Sequence, residues 1–167
     1  MPACPSRRSI RLPDFDYSAP GPYFITINIQ NREPLLGELT DKGVQLNDFG
    51  RIVEDVWKLT PNHFSIELDE FAIMQDHFHA LVWFLDNGNE PNLPQKDTRK
   101  IRGTKPHSLA ALVQNFKSLT SKRINQIRKS PGIQVWQRNY YEHIVRDERD
   151  LENIRQYIHE NPYREDS

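Results

Sequence analysis

Two histidines one residue apart, His77 and His79, interrupt the apolar run Phe71-Ala-Ile-Met-Gln-Asp-His-Phe-His-Ala-Leu-Val-Trp-Phe-Leu85. On a strand, side chains alternate between faces, so both imidazoles project one way while Phe78, Ala80, Val82 and Phe84 project the other. This pattern predicts an inward apolar face and an outward pair of imidazoles. Two imidazoles held by a rigid ladder could chelate a divalent cation; two histidines on a solvated sheet face would need no ligand at all. The motif is short, and a metal site needs a third donor from elsewhere. Near the C-terminus Tyr157 and Asn161 stand four residues apart, hence on one face of a helix. Tyr157 is the candidate nucleophile and Asn161 the candidate third ligand. Phosphodiester cleavage by a tyrosine requires a cation to offset charge on the phosphate oxygens, and two imidazoles with one amide could hold it. Tyr140 and Tyr141 are rival nucleophiles, ranked lower because neither has a partner at i+4 on a clear helix.

The elements that must position these groups follow in order. Residues 1–22, rich in Pro, Ser and Arg, read as an arm ending in Ala-Pro-Gly-Pro, ahead of one domain over residues 23–167. Tyr23–Ile29 alternates as a half-buried strand, with Tyr23, Ile25, Ile27 and Ile29 on one side. A short hairpin is expected around Asp41-Lys42-Gly43. Asn47 or Asp48 caps a helix through Phe49, Ile52, Val53 and Val56, ending before Pro61. Ser65–Met74 returns to strand character, and Gln75-Asp76 is either a kink in one long strand or a turn between two. Residues 86–107 show no periodicity. Ser108 opens a second helix whose apolar side carries Leu109, Leu112, Val113, Phe116, Leu119, Thr120 and Ile127, with Arg123 falling within that stripe. An aromatic and polar run, Val135–Val145, closes with a short strand. Asp147 caps a last helix, stopped by Pro162, whose narrow apolar stripe is Leu151, Ile154 and Ile158. Alternating rather than continuously apolar strands favour an α+β fold on an antiparallel sheet.

A chain of 167 residues with 37% hydrophobic and 27% charged residues fits one soluble domain. It shows neither a secretory h-region nor a membrane-length apolar run, so a cytoplasmic protein is expected. The lone Cys4 argues against thiol chemistry. Net charge is only -1, but the distribution is uneven. Residues 96–129 hold ten Lys and Arg against the single acid Asp97, while residues 14–95 hold four basic against fourteen acidic side chains. Such a basic segment suits a phosphate backbone, although a solvated loop and helix face would look the same.

Met74-Gln-Asp-His-Phe-His-Ala80, Phe116-Lys-Ser118, Trp136-Gln-Arg-Asn-Tyr-Tyr-Glu-His143 and Tyr157-Ile-His-Glu-Asn-Pro162 occur in the order and spacing of the REP-associated tyrosine transposases, which this sequence resembles along nearly its whole length. The opening Arg8-Ser-Ile-Arg-Leu12, Asp16-Tyr17 and Gly21-Pro-Tyr-Phe24 resembles one branch of that family. These are single-tyrosine enzymes with a histidine-hydrophobic-histidine motif. The resemblance implies a ferredoxin-like fold with the histidine pair on a central strand, and a Mg2+ or Mn2+ dependent transposase that cleaves and rejoins single-stranded or hairpin DNA through a 5′-phosphotyrosyl link. By the same resemblance Tyr157 is the nucleophile, and His77, His79 and Asn161 hold the metal. The DNA backbone would meet Arg7, Arg8 and Arg11 of the arm, and Arg99, Lys100, Arg102, Lys105, Lys117, Lys122, Arg123 and Arg128 of the basic loop and helix. Relatives outside this branch often work as dimers, which leaves a homodimer open. One departure stands out: the family usually has Pro-Asn before the histidine pair, where this chain has Gln75-Asp76. The competing expectation is a DNA- or RNA-binding protein on the same sheet that no longer cleaves. A phosphohydrolase acting on a small nucleotide would call for a Gly-rich phosphate cradle or further strand histidines, and neither is present.

Overall fold

The computed structural model describes residues 19–86 and 107–163. Most of the predicted arm lies outside them, as do Arg7, Arg8, Arg11, Arg99, Lys100, Arg102 and Lys105. Strand β1 (Gly21–Asn28) leads through a 3-10 turn at Gln30–Arg32 to a hairpin, β2 (Gly37–Thr40) and β3 (Gly43–Leu46). Helix α1 (Asp48–Leu59), strands β4 (Ile66–Ile73) and β5 (His77–Phe84), helix α2 (Leu109–Ile127), strand β6 (Tyr141–Ile144) and helix α3 (Glu148–Glu160) follow. The main sheet runs β4-β5-β1-β6 with every pair antiparallel. Its strands with α1 and α2 form the βαββαβ order of a ferredoxin-like domain, so β5 is an interior strand. Gln75-Asp76 is a turn: the Met74 amide donates to the His77 carbonyl (2.8 Å), and Ile73 pairs with Phe78.

All three helices begin where a capping side chain allows. The Asn47 amide oxygen accepts from the Phe49 and Gly50 amides, the Ser108 hydroxyl from Ala111, and the Asp147 carboxylate from Asp150. Tyr23, Ile25 and Ile27 of β1 and Phe78, Ala80, Val82 and Phe84 of β5 form the main core beneath α1 and α2. There Trp57 and Phe116 close on Phe78, with ring centroids 5.1 and 5.0 Å from it. On α2, Ile124 rather than Ile127 is buried; the helix ends at Ile127, and the following loop packs on the side of Asn125, whose amide donates to the Ile133 carbonyl (2.8 Å). Arg123 lies in solvent, outside the apolar stripe assigned to it from the sequence.

The opposite sheet face corrects a second expectation. His77 and His79 are buried there, not solvated, because α3 crosses that face. Leu151, Ile154 and Ile158 of α3 cover Phe24, Ala72 and Leu81. Strand β5 thus faces two layers: Phe78, Ala80, Val82 and Phe84 toward α1 and α2, and toward α3 the two histidines followed by Leu81 and Trp83.

Candidate functional site

The histidines lean together, ring centroids 4.6 Å apart, and a neighbour takes one nitrogen of each. The Asp76 carboxylate accepts from His77 Nδ1–H (2.6 Å), which leaves the His77 Nε2 lone pair directed away. The same carboxylate accepts from Arg32 Nε (3.0 Å), and Arg32 Nη1 donates to Asn28 Oδ1 (2.6 Å). Arg32 reaches Asp76 from a turn in which Asn31 and Arg32 both have positive φ, 58° and 55°. Non-glycine residues rarely adopt that region, and here the turn places a guanidinium beside the histidine pair.

His79 Nδ1 lies 2.7 Å from the hydroxyl of Thr26, its cross-strand partner on β1. Asn161 Nδ2 sits 3.3 Å from His79 Nε2, so Nε2 accepts and the Nδ1 proton goes to Thr26. A half-turn of that amide would offer its carbonyl oxygen instead. Burial, then the proximity of the His77 ring and the Arg32 guanidinium, lowers the His79 pKa to about 3, which keeps the imidazole neutral and a competent donor.

The C-terminal end of α3 completes the cluster. Asn161, the first residue past the helix, is 7% exposed, whereas Tyr157 one turn earlier is 43% exposed. The Tyr157 ring stands 5.3 Å from that of His79. Phe24 lies behind both, stacked on His79 at 5.7 Å and edge-on to Tyr157 at 6.1 Å. Four of the sequence candidates, His77, His79, Tyr157 and Asn161, therefore meet at one place. Among the described residues no three His, Cys, Asp or Glu side chains group as a metal site, so a cation here would rest on two imidazoles and an amide with its remaining positions open. The donor set fits a divalent cation: both Nε2 atoms carry lone pairs, and both Nδ1 atoms are held from behind.

The helix that carries Tyr157 is pinned to both edges of the sheet. A bulge between Leu68 and Phe71 of β4 lies at Asp69, whose carboxylate accepts from Arg155 Nη2 (2.6 Å) and Nε (3.1 Å) and from Trp83 Nε1 (2.8 Å). At the other edge His143 Nε2 of β6 meets Asp150 Oδ2 in the first turn of α3 (2.8 Å).

The basic helix is not part of this cluster. α2 packs on the opposite sheet face, and its described cations differ in environment. Lys122 and Arg123 are exposed; Arg128 Nε donates to Asn125 (2.8 Å). The Lys117 ammonium donates to the carbonyls of Gln137 (2.8 Å) and Arg138 (3.3 Å) and lies 5.5 Å from the Tyr140 ring centroid. Burial lowers its pKa to about 8. Lys117 thus anchors the segment before β6. Sequence reasoning missed Thr26, Arg32, Asp69 and Arg155. Of these only Thr26 had a signal, its alternation onto the Phe24 face of β1.

The family described as Transposase IS200 like matches residues 101–161, which include α2, β6 and α3. A protein of Haemophilus influenzae named only as uncharacterised is 39% identical over 168 residues, spanning 93% of this chain and 88% of that one. In structure the chain is similar to a REP-associated tyrosine transposase solved bound to a REP hairpin, with a TM-score of 0.61 at 17% identity, over 93% of this chain and 73% of that one. This likeness bears on the fold. Among the described residues no helix is long and apolar enough to cross a membrane. A second Haemophilus influenzae protein, named "Putative REP-associated tyrosine transposase", is 30% identical over 151 residues, 88% of this chain and 73% of that one, and the chain accordingly belongs to the REP-associated tyrosine transposase family.

Proposed function

We propose that this transposase cleaves and rejoins single-stranded or hairpin DNA through Tyr157. The observation that carries the reading is the half-exposed Tyr157 ring 5.3 Å from a neutral His79, whose partner His77 keeps its own Nε2 available. Tyr157 Oη, losing its proton, bonds to the scissile phosphorus. The bond from phosphorus to the 3′ oxygen breaks, and that oxygen takes up a proton. One strand end is left as a 3′-OH and the other as a 5′-phosphotyrosine, with the phosphodiester charge unchanged. Attack by a 3′-OH on the phosphotyrosine reverses the step, joins strands and restores the tyrosine. His77, His79 and Asn161 would hold Mg2+ or Mn2+, and Thr26 and Asp76 orient the two imidazoles. Such a cation polarises the phosphate oxygens and offsets their growing charge. Hairpin DNA is the substrate class because the structural relative is bound to a REP hairpin.

The test incubates the purified protein with labelled hairpin oligonucleotides from its own genomic flanks, with and without Mn2+, and reads a denaturing gel. A slow covalent band is expected that needs metal, disappears in Tyr157→Phe and persists in Tyr141→Phe. Binding with no adduct across the flanking hairpins would instead favour the protein that binds nucleic acid without cutting it, and loss of the adduct in Tyr141→Phe would move the nucleophile.

A further inference from the structure

Tyr141, adjoining the cluster at the β6 edge, has no role in the step above. It pairs with Thr26 across β1, and Thr26 pairs with His79, so Ala72, His79, Thr26 and Tyr141 form one row across the sheet. Two strand spacings, about 10 Å of backbone, separate Tyr141 from His79. Like Thr26 its side chain is on the α3 face, and its ring meets Phe24 edge-on at 6.2 Å. Phe24, itself 7% exposed, is flanked by two tyrosines that are not: Tyr157 at 43% and Tyr141 at 45% exposure.

Each of those aromatics is placed differently. Tyr157 is on a helix beside the imidazoles, where its hydroxyl can reach a phosphate. Tyr141 is on β6, the edge strand of the sheet among the described residues. An aromatic ring left nearly half exposed at an edge, backed by a buried aromatic, presents a π surface to whatever lies along that edge. A nucleic-acid strand whose phosphate sits between the histidines and Tyr157 must leave the cluster, and the row through Thr26 leads to this ring. Every base offers a π face, so stacking there needs no particular sequence.

We infer that Tyr141 forms a base-stacking subsite for a nucleotide adjoining the scissile phosphate. The inference rests on the DNA-cleaving reading for its ligand, and binding measured without cleavage keeps the two separable. The probe is the panel of labelled flanking hairpins, bound to the Tyr157→Phe protein, which cannot turn over, with a single abasic nucleotide walked along the unpaired strand. In that background Tyr141→Ala weakens binding roughly tenfold, the order of one stacked base, and Tyr141→Phe leaves it unchanged. One abasic position produces the same loss, and combining it with Tyr141→Ala adds nothing further. Tyr141→Trp restores affinity and Tyr141→Leu, which keeps bulk without a π face, does not; thermal unfolding of each variant shows whether the edge strand survives. Wild-type affinity in Tyr141→Ala, a loss in Tyr141→Phe equal to that in Tyr141→Ala, or additive effects of the abasic site and Tyr141→Ala would each overturn the assignment. Absence of a covalent adduct in the wild-type protein would refute the cleavage reading while leaving these binding results to stand for or against the subsite.

Discussion

Replacing Asp69 by alanine should loosen the helix that carries Tyr157. The carboxylate accepts two bonds from Arg155 of α3, one from Trp83 of β5 and one from the Glu70 amide. Removing one partner of a fully buried ion pair costs about 3–5 kcal/mol; an exposed pair is worth about 0–1 kcal/mol. Asp69 has 14% of its side chain exposed and Arg155 35%, so water can take over part of what the guanidinium loses. An intermediate cost of about 2 kcal/mol follows. With a denaturant slope of about 2 kcal/mol per molar, the urea midpoint falls by about 1 M. Asp69→Ala with Arg155→Ala should cost little more than Asp69→Ala alone, since the Asp69–Arg155 pairing is already lost in that single variant. The loss concentrates in α3, whose buried apolar side chains are Leu151, Ile154 and Ile158. Amide exchange should therefore accelerate along Glu148–Glu160 more than along α1 or α2. Adduct formation should slow as well, because Tyr157 follows Arg155 by two residues. A midpoint within about 0.25 M of wild type, with unchanged exchange in α3, would refute the reasoning and leave the apolar stripe as the helix's sufficient anchor.

Three further outcomes follow from the same geometry. Burial raises the Asp69 pKa, but the hydrogen bonds from Arg155, Trp83 and the Glu70 amide more than reverse this, so the folded value lies below the ordinary 3.8. Its stabilisation is therefore complete above the unfolded pKa and is lost as pH falls through the folded one: urea midpoints should drop below about pH 4, and drop less in Asp69→Asn. Thr26→Val keeps shape but deprives His79 Nδ1 of its partner, so the Mn2+ concentration for half-maximal adduct formation should rise roughly 10- to 100-fold; an unchanged metal titration would contradict the orienting role. Gly50→Ala should lower the melting temperature although alanine favours helices by about 1 kcal/mol, because its Cβ would stand 2.2 Å from the Leu36 carbonyl oxygen and 2.9 Å from Leu46 Cδ2; a rise in Tm would show that the hairpin yields.

Local chemistry was legible in the sequence and cross-strand chemistry was not. Asn47, Ser108 and Asp147 could be read as caps because a cap acts within three residues of itself. Likewise the placing of Tyr157 and Asn161 together needed only the period of a helix. Gln75-Asp76 stayed ambiguous because both flanks have strand character, and the pairing of Ile73 with Phe78 decided it. Alternation showed that His77 and His79 share a face, but it could not show what covers that face; the cover is a helix about seventy residues further on. A charge count along the chain likewise could not reveal that α2 and the histidines lie on opposite sides of the sheet. The same limit explains the missed residues. Thr26, Asp69 and Arg155 acquire their roles from register and from a bulge. Three apolar side chains can hold α3 against the sheet, yet such contacts are nondirectional and fix its rotation poorly. Asp69 at one edge, His143 at the other and Asn161 at the His79 ring supply directional contacts, and together they determine which way Tyr157 points.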